Sequence, residues 1–111
     1  MSTTIPGAVS LSFDELVART PHGIASRVLV KASGGSATLF AFDAGEGLSE
    51  HTSPFEALVI VLDGALKLTI GGVHSPAVPG TIVRMPARVP HAVEADVPTR
   101  MLLVLLRDGA E

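Results

Sequence analysis

The chain has 111 residues, with 8 Lys and Arg against 11 Asp and Glu, a formal net charge of −3, and no Cys, Trp or Tyr. At 47% hydrophobic and 17% charged residues it has the composition of one folded domain and is too apolar for a disordered chain. The lack of cysteine excludes a disulfide framework, a thiolate metal site and a Cys nucleophile. The acidic balance, with four Phe as the only Phe, Trp or Tyr residues, argues against a nucleic-acid partner.

In chain order, the first dozen residues read as an arm with weak structure of its own. Ser12-Phe13-Asp14-Glu15 then forms a capping box, with the Ser12 hydroxyl accepting from the N3 amide and Glu15 reaching back. Phe13, Leu16 and Val17 sit at helical spacing, which predicts a short helix of two turns, stopped by Thr20-Pro21-His22-Gly23. Asp14 and Glu15 are capping residues on this reading, not a catalytic carboxylate pair.

Strands and turns follow. Residues 24–32 and 37–42 are rich in β-branched and aliphatic side chains around a Ser33-Gly34-Gly35-Ser36 turn. A turn at 44–47 leads into a polar segment that runs to Pro54. Residues 57–62 are apolar throughout, which predicts a strand buried on both faces. Asp63-Gly64 is a tight-turn dipeptide. Leu66, Leu68 and Ile70 alternate with polar residues, the period of a half-buried strand. Gly71-Gly72 and Pro79-Gly80 punctuate the next loop, and residues 81–85, 91–95 and 99–107 supply the last strands. Many short strands with Gly and Pro turns predict an all-β sandwich or barrel.

Nothing at the start of the chain resembles a signal peptide. The longest apolar stretches, 57–62 and 101–106, fall far short of the ~20 residues of a membrane helix. The expectation is a cytoplasmic protein with no membrane partner. A small chain with so little charge leaves apolar surface uncovered, which predicts a homodimer.

Two segments place ligand-capable residues beside apolar strands: residues 45–64, with Glu46, Glu50, His51, Ser53 and Glu56, and residues 80–91, with Arg84, Arg88 and His91. They resemble the two motifs of the cupin superfamily. The first motif is a Gly, five residues, His-x-His, a few residues, Glu, about six residues and a Gly. Gly45 and His51 match its opening, and Glu56 is taken as its Glu by counting back from Val61-Leu62-Asp63-Gly64. The second motif is a Gly, five residues, Pro-x-Gly, two residues and a His, matched by Gly80, Pro86 and His91. Ser53 stands at the family's second His, Arg88 at the Gly after the motif Pro, and Ala95 at the Asn that often follows the last His.

The resemblance implies an all-β fold: a double-stranded β-helix, or jelly-roll barrel, of the RmlC-like type. Residues 1–22 would form the arm and short helix, and 23–111 a single barrel domain. It also implies a divalent metal (Fe, Mn, Ni, Zn or Co) held by His51, Glu56 and His91, with no organic cofactor. Two imidazoles and a carboxylate are the ligand set of a facial triad. Glu56 would double as a proton acceptor in catalysis and Ser53 would orient substrate or water. If extended, His51 and Ser53 share one face, Glu56, Leu58, Ile60 and Leu62 a second, and His91, Val93 and Ala95 a third. Pointed inward together, these sets predict a pocket lined by Ser53, Leu58, Ile60, Met85 and Val93, suited to a small, partly apolar molecule.

The expected function is therefore a metal-dependent, oxygenase- or isomerase-like enzyme. The alternative is a metal-free module for binding or sensing a small ligand, for which Ser53 speaks. An epimerase of this fold would use a Tyr acid, and the chain has no Tyr. A DNA-binding regulator would need a further domain. His22 and His74 read as ordinary loop histidines, and Met85 and Met101 as core fillers. Arg84 and Arg88 read as solvated, with pairing to an anionic substrate as the less favoured role.

Overall fold

The structure, a computed structural model, describes residues 4–107. One helical turn, α1 (Phe13–Leu16), precedes nine strands: β1 (Ile24–Ala32), β2 (Gly35–Phe42), β3 (Gly47–His51), β4 (Glu56–Asp63) and β5 (Leu66–Ile70). The others are β6 (Val73–Ala77), β7 (Ile82–Met85), β8 (His91–Glu94) and β9 (Thr99–Leu106). They form two antiparallel sheets, one of order β1-β2-β9-β4-β7 and one of order β3-β8-β5-β6, packed face to face as in a jelly roll.

The core lies between the sheets because each strand alternates. Phe42, Ala57, Val59, Val61, Met85 and Met101 from the larger sheet meet Leu66, Leu68, Ala77 and Val93 from the smaller. A fully buried side chain of this size contributes about 1.5–3 kcal/mol, so this layer dominates stability.

β4 corrects the expectation of a strand buried on both faces. Ala57, Val59 and Val61 are buried, whereas Glu56, Leu58, Ile60 and Leu62 occupy the half-buried outer face. Part of that face is covered by the chain's own arm. Ile5, Leu16 and Val17 pack with Leu29, Leu39, Ala41, Leu62 and Leu102 in a second apolar cluster. The Ile5 amide donates to the Leu29 carbonyl at 2.8 Å. Arg19 pairs with Asp63 at 2.7 Å, and Arg100 pairs with Asp14.

The helix is shorter than its spacing suggested, at four residues. Val17 is extended (φ −143°, ψ 125°) and is 6% exposed in the second cluster. Burying Val17 against the sheet outweighs a second helical turn, which alone is marginal. The Ser12 hydroxyl accepts from the Asp14 amide at 3.2 Å, one residue before the N3 position.

Two strands, β3 and β6, lie in segments whose polarity suggested loops. Both are edges of the smaller sheet, where one side of the strand faces solvent and polar residues and Pro76 are tolerated. His74 consequently sits on β6, its Nδ1 3.1 Å from the Thr69 hydroxyl, rather than in a loop. Among the described residues no helix is long and apolar enough to cross a membrane.

Candidate ligand-binding site

β3 ends on His51 and β8 begins on His91, and the two residues are partners in the antiparallel register. The register shifts between Leu48 and His51, so the strand is irregular just before the histidine. Directly opposed residues of an antiparallel pair place their side chains on the same face. The two imidazoles therefore converge, with ring centroids 4.3 Å apart and planes at 70°.

Each ring is pinned from behind. The His51 Nδ1–H donates to the Ser49 carbonyl at 2.7 Å, and the His91 Nδ1–H to the Val89 carbonyl at 3.2 Å. A carbonyl oxygen only accepts, so these contacts place a proton on both Nδ1 atoms. The Nε2 atoms, 3.1 Å apart, then face each other. In two neutral rings they would be opposing lone pairs. A hydrogen bond between them needs one further proton on the pair, and a ligand that donates a proton or accepts electron density relieves the same opposition.

The pair stands in a cavity of about 250 Å³ whose remaining wall is almost wholly apolar: Leu48, Phe55, Ala57, Met85, Val93, Met101, Leu103 and Leu105. Among the described residues, Ser53 is the only other polar one in the lining. Its hydroxyl accepts from the Phe55 amide at 3.1 Å, and its carbonyl accepts from the Arg88 amide at 2.8 Å. These bonds tie the segment after β3 to the turn before β8. His91 is 5% exposed, whereas His51 is exposed. The cavity thus has a buried polar floor and an open polar rim.

Of the five pocket residues expected from the sequence, Ser53, Met85 and Val93 line the cavity. Leu58 and Ile60 do not; they lie on the outer face of β4. Glu56 shares that outer face, away from the histidines. Its carboxylate takes the Arg84 Nε–H at 2.6 Å and the Ala87 amide at 2.8 Å. The Ala87 amide, and after it the Arg84 guanidinium, hold this carboxyl below its ordinary value. Among the described residues no three His, Asp or Glu side chains are grouped closely enough to hold a metal ion.

The reason is a count of one residue. With six residues between that position and Gly64, Ala57 and not Glu56 stands at the carboxylate position of the cupin motif. In a strand a shift of one residue sends a side chain to the opposite face. Ala57 faces the cavity and Glu56 faces away. The four positions that hold a metal in such sites are thus His51, Ser53, Ala57 and His91 here. Two imidazoles fall short of the three or four protein ligands of a divalent site. The residues present do not fit the expected three-ligand metal centre.

The remaining singled-out residues have structural partners. Arg84 is spent on Glu56. Arg88 adopts φ 66°, the left-handed region that suits the glycine usual at that motif position. His22, at φ 58°, closes a turn by donating its amide to Asp43 at 2.6 Å. That bond, with the one from the Ala44 amide at 2.9 Å, holds the Asp43 carboxyl low. Met101 is fully buried and also walls the cavity.

Sequence reasoning missed Leu48, Phe55, Ala57, Leu103 and Leu105 as lining residues. The alternation of β4, started at Ala57, and the register of β4 with β9 would have found Ala57, Leu103 and Leu105. Phe55, beside Pro54, carries no local signal.

The cupin-domain profile matches residues 38–105, and the chain belongs to the cupin family. It is similar to the conserved SPY1581 protein of unknown function from Streptococcus pyogenes, at 32% identity and a TM-score of 0.87 over 97% of this chain and 96% of that one. A cupin superfamily protein from Desulfitobacterium hafniense matches at 24% identity and a TM-score of 0.85, covering 96% of this chain and 97% of the other. A cupin conserved-barrel domain protein from Leptotrichia buccalis is 36% identical with a TM-score of 0.83, covering 87% of this chain and 47% of the other. No functionally curated protein matches.

Proposed function

We propose that this cupin binds a small, largely apolar molecule between its sheets and engages one polar atom of it through the His51–His91 pair, without a resident metal. The observation behind this reading is the convergence of two pinned imidazoles in an otherwise apolar cavity. Such a cavity, with few and convergent polar groups, is the common form of a small-molecule site. A ligand hydroxyl that donates to one Nε2 would take over the contact, and the second ring would join it by donating once the pair carries one further proton. Ser53, at the same cavity, supplies a hydroxyl to a second polar atom.

Metal-dependent catalysis is the second reading, favoured by the same convergence, since ligating histidines commonly give their other N–H to a carbonyl. It lacks a carboxylate, because Glu56 is engaged by Arg84 and Ala87. A thermal-shift screen of small apolar acids, ketones and alcohols tests the first reading. Hits should disappear in Ala57→Leu, which fills the cavity. Hits that persist there bind elsewhere and contradict it.

We propose in addition that two copies meet on the outer face of the larger sheet. Ile60 pairs in register with Ile82 and Leu102, and Ile82 remains 59% exposed. Leu106, four residues along β9 from Leu102, is 45% exposed. The arm covers Leu102 but not Ile82.

A further inference from the structure

A second cavity, of about 160 Å³, adjoins the histidine cavity and shares Phe55 and Leu105 with it as walls. Its character is different. Lys31, Ser36 and Arg107 line it, and among the described residues no Asp or Glu does. In a chain with more acidic than basic residues, two cations in one cavity with no carboxylate among its described lining residues call for an explanation. Lys31 and Arg107, like Arg27 elsewhere on the fold, have no ion-pair partner among the described residues, whereas Arg19, Lys67, Arg84 and Arg100 do.

Arg107 is also held in place. Its amide donates to the Gly34 carbonyl at 2.9 Å, and its guanidinium lies over the Phe55 ring, 5.1 Å from the centroid. Stacking on an aromatic face fixes the plane of a guanidinium while leaving its edge N–H groups available. A carboxylate is planar and matches that edge with two parallel hydrogen bonds. Lys31 adds a second positive charge and Ser36 a hydroxyl donor.

We infer that the ligand of this protein is a small aliphatic carboxylate with a second polar group, its acid group seated against Arg107 and Lys31 and its apolar body passing Phe55 into the histidine cavity, where the second group meets His51 and His91. Phe55 then has two roles: one side of the cavity wall meets the apolar body, and its ring orients Arg107. The inference rests on the proposed ligand-binding reading and adds to it the class of ligand and a second anchoring site.

The test uses octanoate and the uncharged octanol, followed through the methyl resonances of Met85 and Met101, which both face the histidine cavity. Wild-type protein is compared with Lys31→Gln/Arg107→Gln, two exposed positions outside that cavity. Both probes should shift both methyls, with octanoate binding about tenfold more tightly, as charge-assisted hydrogen bonds provide. The double variant should lose that preference and keep its octanol affinity. An equal preference for octanoate in the double variant, or none in wild type, overturns the inference and leaves the pocket reading standing. If neither probe moves the methyls, the pocket reading fails and the inference with it.

Discussion

The Nε2 atoms of His51 and His91 lie 3.1 Å apart while each Nδ1 faces a backbone carbonyl, of Ser49 and of Val89. The backbone thus decides what the side chains offer to the cavity. Long-range proton–nitrogen correlation spectra should show both rings protonated at Nδ1. A ring protonated only at Nε2 would mean that its carbonyl contact is absent in solution.

Glu56 is expected to act in stability rather than in chemistry. Its folded carboxyl titrates below its ordinary value of 4.5. A group with a depressed folded value contributes stability above its unfolded value and loses it as pH falls through the folded one. The same sign holds for Asp43, held low by the His22 amide and then the Ala44 amide. Thermal melts from neutral to acid pH should therefore show less acid sensitivity in Glu56→Gln than in wild type, starting below about pH 5. Equal acid sensitivity would deny Glu56 this role.

The corner at Gly64 and Thr99 is expected to be intolerant. The Thr99 hydroxyl, fully buried, accepts from the Ala65 amide at 3.1 Å and lies 3.0 Å from the Ala65 carbonyl and 2.8 Å from that of Val97. Thr99→Val leaves the Ala65 amide unpaired and should cost about 1–3 kcal/mol in denaturant melts. Gly64 adopts φ 85°, and a Cβ there would collide with Thr99 and the Pro98 carbonyl, so Gly64→Ala should cost at least as much. A neutral outcome for either variant would contradict this packing.

Replacing Ile82 tests the proposed contact between copies. Ile82→Glu places a charge on an exposed edge strand without touching the cavity. Sedimentation should show a dimer in wild type and a monomer in the variant. A wild-type monomer contradicts the proposal.

The fold was legible because alternation and turn residues agree over most strands. Residues 66–70 alternate as β5 does, and the dipeptides at 63–64 and 71–72 fall at its two ends. The edges were less legible. β3 and β6 are polar because only one neighbour and one face constrain them. His51, Ser53 and His91 were legible from motif spacing, and the structure brings them to one cavity. Glu56 stands one residue from the motif's carboxylate position, so motif spacing points to it while the parity of β4 turns it toward Arg84 and Ala87. The apolar wall from β9 and Phe55 depends on long-range register, which local sequence does not encode.

On the proposed reading, the histidine pair alone does not make a divalent metal centre. Metal content per chain after anaerobic loading with Fe(II), Mn(II) or Zn(II) tests it, with Ser53→His/Ala57→Glu beside the wild type. The variant supplies the two missing ligands on the cavity face and should approach about one ion per chain, with the wild type far below that. Near-stoichiometric metal in the wild type, lost in His91→Ala, would contradict metal-free binding and restore the metal-dependent reading.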